Sequence, residues 1–321
     1  MAVLVLVLFL IAVLAPLLAP NDPNATHLYA SQLGPCKQYP LGTDALGRCM
    51  LSRVLYGART SIFSSLLITL IVFTLGVFVG VLSGYFGGWL DAILNKIITI
   101  VQAFPKFVLA IAIGGLLGVG IQHTILALCF VEWTDYARMA RSFTLREKER
   151  TYLKAARVCG ESHFRILTCR LIPNIISPLV VNASLGISSI IAEIAGLSYL
   201  GVGVKEPMSE WGAMINAGRL YMQTDVRLVL IPGLAIFVTA VIFNLFGESS
   251  VTACRYPEED SYEQTNCQRP SMSCPVRGDF VRLWNAEQRS GPCGCGRYPV
   301  PEQPGPGGEL EQLVYQPLGH Y

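Results

Sequence analysis

Long uncharged apolar runs recur along the chain up to about Glu248, and their length predicts the architecture. A helix needs about 20 apolar residues to cross the hydrocarbon layer, because lipid offers no partner for an unpaired backbone group. Met1–Ala19 is uncharged throughout, and Thr60–Leu90 carries no charge either, with Ser61–Leu82 alone long enough to span. A third stretch, 97–119, is interrupted by Pro105 and Lys106, which predicts a kink and a lysine snorkelling to the interface. A fourth, 119–137, holds Glu132 and Asp135 near its end, the fifth, 175–200, encloses Glu193, and the sixth covers 228–246. The expectation is an all-α, polytopic membrane protein of about six transmembrane helices. A cleavable signal peptide is the other reading of the first run, but Lys and Arg are absent from its start and it exceeds a usual h-region.

Basic residues orient these spans, since Lys and Arg are retained on the cytoplasmic side. The segment Ala137–Ile172 holds nine of the 24 Lys and Arg, which marks it as a cytoplasmic loop. Counting outward places both termini inside and leaves two sizeable loops outside, about 21–59 and 201–227. Thr43 and Asp44 can cap a short amphipathic helix with Leu46, Met50, Val54 and Leu55 on one side and Arg48, Ser52 and Arg53 on others, suited to the membrane interface. The expected divisions are therefore 1–19, a first transmembrane helix; 20–60, an extracytoplasmic loop with that helix; 61–248, a core with the cytoplasmic loop 138–173; and 249–321. The last is rich in Pro, Gly, Cys and charge without apolar periodicity, and is read as an unstructured tail.

Composition agrees with lipid as the solvent: 52% of residues are hydrophobic and 14% charged, against about a quarter charged in a soluble domain. A net charge of +2 gives no footprint for nucleic acid. The ten cysteines set no disulfide framework, and Cys254, Cys267, Cys274, Cys293 and Cys295 lack paired spacing. His27, His123, His163 and His320 lie far apart, so neither a metal site nor another cofactor is expected. Glu132 and Asp135 read as an interfacial ion pair with Arg138. Glu193, within an apolar helix, reads as a pathway group or as a structural hydrogen bond between helices.

Within the basic loop, Thr151–Ser162 continues to Leu171-Ile172-Pro173-Asn174. Two alanines, Ala155 and Ala156, precede Gly160 by four residues from the second, a spacing that predicts a helix, a glycine turn, then a second helix opened by Glu161 or Ser162. This is a helix–turn–helix able to dock on another protein, or a solvated basic loop that only enforces topology.

The segment resembles the EAA loop of ABC importer permeases, with Lys154 in place of the glutamate, Ala155, Ala156 and Gly160 in register, and Ile172-Pro173 for the closing Leu-Pro. Leu41-Gly42-Thr43-Asp44-Ala45-Leu46-Gly47-Arg48, Tyr56-Gly57-Ala58-Arg59, Ser198-Tyr199-Leu200-Gly201-Val202-Gly203 and Glu210-Trp211-Gly212 narrow the resemblance to dipeptide, oligopeptide and nickel permeases of the C-subunit type, from about Leu14 to Glu248. The resemblance implies a MetI-like, type I architecture in a bacterial or archaeal cell membrane. It also implies a homologous second permease subunit, two ATP-binding ABC subunits and an extracytoplasmic substrate-binding protein as partners. The ATPase-coupling residues it implies are Lys154, Ala155, Ala156, Arg157, Gly160, Glu161, Ser162 and His163. Glu193, Asn182 and Ser189 are the candidate translocation-path residues.

The chain itself is expected not to be an enzyme, since no Gly-x-x-x-x-Gly-Lys-Ser/Thr phosphate loop is present. Two departures from the family pattern stand out: Lys154 for an acid, and Cys49 where aspartate is usual. A third concerns the tail. Related permeases follow Asn-Leu-Phe-Gly-Glu with x-Leu-Arg-Asp, whereas here Glu248 is followed by Ser249-Ser250-Val251-Thr252-Ala253, which a frameshift near Glu248 would explain. An ion-coupled secondary transporter, the alternative, would show internal inverted repeats and more midplane carboxylates than Glu193.

Overall fold

The computed structural model describes residues 1–264. Every regular element among them is helical, and the one β-bridge pairs Thr43 with Cys49. The helices are α1 (Ala2–Leu18), α2 (Met50–Phe86), α3 (Gly88–Gln102), α4 (Lys106–Leu117), α5 (Ile121–Lys148), α6 (Thr151–Val158), α7 (His163–Arg165), α8 (Ile172–Tyr199), α9 (Trp211–Gly218) and α10 (Arg227–Gln264). A π-helical turn, Ile166–Leu171, joins α7 to α8, so that His163–Tyr199 forms one 37-residue rod.

Each of the six expected stretches is occupied by a helix or helix pair, with altered bounds. Three helices are long and apolar enough to cross a membrane, Met50–Phe86, His163–Tyr199 and Arg227–Ser250, and α3 with α4 makes a fourth if the pair is one span. Ala2–Leu18 is a shorter apolar helix of 17 residues. The kink expected at Pro105 is an 85° bend between α3 and α4. Proline removes an amide donor and sets the preceding residue extended, so the helix stops before it and restarts from it.

Two expectations are corrected. No separate interfacial helix forms over 43–55. Asp44 instead closes a turn, its Oδ1 accepting from the Leu46 and Arg48 amides at 2.9 and 2.8 Å, and helix begins at Met50, continuous with the span. At 37 residues α2 is about 55 Å long, well beyond the roughly 30 Å of hydrocarbon. Cys49 occupies its N-cap with no side-chain hydrogen bond to the helix. At the other end of the chain, α10 does not stop at Glu248 but stays helical to Gln264. The rest of the expected tail, 265–321, lies outside the described residues, as do most of its cysteines.

The axis of the bundle is the pair α2 and α5. Gly76, Gly80 and Gly84, spaced one turn apart, set the α2 backbone against α5 at Trp133–Thr144. A Cβ at Gly76 would lie 2.6 Å from the Trp133 carbonyl oxygen, and one at Gly80 would run into the Ala137 carbonyl oxygen. Lipid tails are as apolar as leucine, so helices in a membrane associate through such close van der Waals approach. Around this pair α1 packs on α2, with Phe9 and Phe63 rings 5.5 Å apart, and α8 packs on α10, where Ser188 Oγ donates to Asn244 Oδ1 at 2.8 Å. A third core cluster reaches out of the bundle: Leu153 of α6 is fully buried with Val81, Ala140, Ile166 and Leu171.

Two stability effects follow. Gly80→Ala should lower stability by about 1–3 kcal/mol, the range for overpacking, whereas Gly115→Ala, which meets open space, should not; thermal unfolding in detergent compares the two. Leu153→Ala should cost about 2–5 kcal/mol of local packing and expose the 150–162 segment to limited proteolysis. Val158→Ala, at a position 89% exposed, should leave the proteolytic pattern unchanged.

Candidate functional site

The loop singled out in the sequence folds as a helix, a turn and a second helix. α6 runs to Val158, and Gly160 follows with φ +75°, a backbone region that a side chain rarely adopts. The Glu161 amide donates to the Ala156 carbonyl at 3.2 Å and the Gly160 amide to Arg157 at 3.0 Å. Of the two candidates for opening the next helix, Ser162 does so, its Oγ accepting from the Arg165 amide at 3.4 Å. The second helix does not end before the membrane segment. It passes through the π turn, with Pro173 tolerated at its place in the first turn of α8.

One side of this motif is clamped to the bundle. Beyond Leu153, Tyr85 at the end of α2 hydrogen-bonds His163 Nδ1 at 2.8 Å, and Arg157 lies over the Tyr85 ring at 5.5 Å. Lys148 Nζ donates to the Tyr85 carbonyl at 2.8 Å, and Arg170 pairs with Glu161 at 3.0 Å. Tyr152 bridges the ends of α5 and α8, donating to Glu147 at 2.8 Å and accepting from Asn174 at 2.6 Å. The opposite side is open: Ala155, Val158, Gly160, Ser162 and Phe164 are exposed, Val158 and Phe164 as large apolar groups, while His163 is exposed next to its bond with Tyr85. Ala156, Arg157 and Glu161 are half-buried on the clamped side. Lys154, the departure from an acid, pairs with Glu149 at 2.9 Å on the surface and holds that carboxyl below the usual carboxylate range.

A second polar centre lies among the apolar helices. Lys106, just past the bend, contacts Asp135 closely and Glu132 at 3.5 Å. The half-buried lysine is therefore paired with carboxylates rather than snorkelling alone, and the expected pairing of Glu132 and Asp135 with Arg138 does not form; Arg138 is exposed. Gln102 donates to Asp135 at 2.9 Å. Glu193 is within electrostatic range of Lys106, Glu132 and Asp135, and its Oε2 is buried without a hydrogen-bond partner. Asn182 and Ser189 are exposed on α8, seven residues apart, with Glu193 four further on; that spacing sets the three on one face.

Lys106 is the member of this centre that the sequence reading did not assign, because its partners sit 26 and 29 residues away on a different helix. A further network, Arg141 bidentate on Asp91 at 2.6 and 2.7 Å, was likewise not foreseen. Among the described residues no group of His, Cys, Asp and Glu has the arrangement to hold a metal ion.

Residues 76–253 match the family described as binding-protein-dependent transport system inner membrane component. The dipeptide transport system permease of Haemophilus influenzae is 37% identical over 252 residues, covering 77% of this chain and 85% of that protein. The nickel transport system permease of Escherichia coli is 36% identical over 247 residues, covering 77% and 89%. A glutathione transport system permease of Escherichia coli is 37% identical over 248 residues, covering 77% and 82%. In three dimensions the chain is similar to the MetNI methionine ABC transporter in an inward-facing conformation, with TM-score 0.53 and 19% identity over 64% of this chain and 97% of that one. The chain is thus all-α, MetI-like in fold, and belongs to the family of binding-protein-dependent transport inner membrane components, as a permease subunit of an ABC importer.

Proposed function

We propose that this permease takes its driving force from partner ATPases through the 154–163 motif, and that the observation carrying this is the motif's division into a clamped side and an open side. Burial of Leu153 and the Tyr85–His163 bond tie the motif to α2 and α8, so a push on the open side moves the membrane helices rather than a slack loop. Of the set Lys154, Ala155, Ala156, Arg157, Gly160, Glu161, Ser162 and His163, the exposed Lys154, Ala155, Gly160 and Ser162 meet the partner, while Ala156, Arg157, Glu161 and His163 hold the motif against the bundle. The small Ala155 and Gly160 admit close approach of a partner surface, and Val158 and Phe164 supply apolar anchors of the kind that dominate interface energetics.

In this scheme the basic loop and both termini are cytoplasmic, since the loop carries the chain's densest positive charge. The full importer pairs this chain with a homologous second permease subunit, two ATP-binding subunits and an extracytoplasmic substrate-binding protein. Asn182, Ser189 and Glu193 line the path between the two permease subunits. Polar groups exposed on an otherwise apolar helix are unfavourable against lipid and suit a wet interface. The cargo belongs to the class named for the relatives: dipeptides, glutathione or nickel, the last as a chelate.

Gly160→Pro should abolish substrate uptake in proteoliposomes of the assembled transporter, because proline cannot adopt φ +75°, while membrane insertion is kept; normal uptake by this variant refutes the coupling role. Glu193→Gln should lower uptake by about tenfold, the scale of one lost interaction with a charged group, without changing assembly with the partner subunit. Unaltered uptake would remove Glu193 from the path.

A further inference from the structure

The end of the bundle opposite the 154–163 motif holds a cavity of about 450 Å³, within the size range of small-molecule sites. Its wall comes from the turn before α2, the loop after α8, and α9 with the segment that follows it. Six charged residues line it: Arg48, Arg53, Lys205 and Arg219 against Asp44 and Glu206, which leaves a formal excess of two positive charges.

The carboxylates are already occupied. Asp44 Oδ1 accepts two backbone amides, while Oδ2 takes Arg48 Nε at 2.6 Å and sits 3.7 Å from Arg53 Nε. Glu206 takes Arg48 Nη2 at 3.0 Å. Arg53 is 2% exposed, and its Nη1 has no hydrogen-bond partner. A buried guanidinium donor left unpaired is costly, and it sits in a wall whose remaining charge is positive. Lys205 and Arg219 are exposed at the rim, Arg219 over the Tyr199 ring at 5.6 Å, where cations draw an anion toward the buried one.

We propose that this cavity binds the carboxylate of a small solute, with Arg53 as the buried donor and Lys205 and Arg219 as the attracting rim. An anionic oxygen is the chemistry required, and a guanidinium fork fits a carboxylate in two-point fashion. The inference rests on this end being extracytoplasmic, as in the proposed topology, so it would be the first contact of an acidic solute with the permease. Binding by the chain alone needs no ATPase, so this inference and the coupling role fail independently.

The test is calorimetric titration of the full chain, in phosphatidylcholine nanodiscs, with the dipeptide Ala-Ala and with its C-terminal amide. The acid should bind and the amide bind at least about tenfold more weakly, the scale of a lost charge-assisted hydrogen bond. Lys205→Gln combined with Arg219→Gln, both surface changes that keep the fold, should weaken the acid severalfold and leave the amide unaffected. Arg53→Lys, if its thermal unfolding is unchanged, should remove the preference for acid over amide. The exposed Lys96→Gln on α3 should change nothing. Equal binding of acid and amide, or no binding of either to folded chain, overturns the proposal. Binding that is lost in phosphatidylglycerol nanodiscs and displaced by inorganic phosphate identifies a lipid headgroup as the occupant and overturns it as well.

Discussion

Along Gly76, Gly80 and Gly84 the backbone of α2 lies directly against α5, with no side chain of its own between them. Lipid supplies no hydrophobic drive to replace this close approach. Because α2 also contacts α1, α3, α8, α9 and α10, its seat on α5 sets the frame in which every other helix is placed. The same rod carries Arg53 at one end and Tyr85 at the other. The cavity beside Arg53 and the 154–163 motif are therefore fixed relative to each other by one continuous helix.

Charge placement obeys the same frame. Lys106 is held where the bend at Pro105 turns α4 across α5, opposite Glu132 and Asp135. A lysine among apolar helices is tolerated only when paired, and here the pairing crosses between elements. Glu193 joins from α8, bringing a third carboxylate to one cation. Near the first turn of α2 the balance is reversed, with cations in excess around Arg53. Lys106 draws its carboxylates from another helix and Arg48 draws Glu206 from a distant loop, while Glu193 Oε2 and Arg53 Nη1 stay unpartnered, which ties local electrostatics to the assembly of the whole bundle.

The 154–163 motif shows how a short helix keeps its shape without length of its own. Eight residues are too few for a stable isolated helix in water, yet α6 is anchored by Leu153, by the stacking of Arg157 on Tyr85 and by the Tyr152 bridge to Glu147 and Asn174. Its outward side is left small and apolar. The replacement of an acid by Lys154 changes only a surface pair with Glu149, so the clamped side does not depend on it.

Apolar length alone determined that this chain crosses a membrane, since no other fold hides the backbone in lipid, and the Ala155-Ala156, Gly160 spacing alone announced the helix and its glycine turn. Pro105 likewise marked a break, because a missing amide is a local property. Partners at long sequence range were not legible. Lys106 read as snorkelling and Asp135 as Arg138's partner, because three-residue spacing is visible in a sequence and the fold of α4 onto α5 is not. The Gly76, Gly80, Gly84 row looked like ordinary apolar span, since glycine says nothing about which helix approaches it. The turn at Asp44 looked like a helix because its amphipathic spacing was present, while the two amides captured by its carboxylate depend on the loop closing back. Hydropathy and glycine spacing act through the nearest few residues and the solvent; pairing and close approach are decided by where distant helices meet.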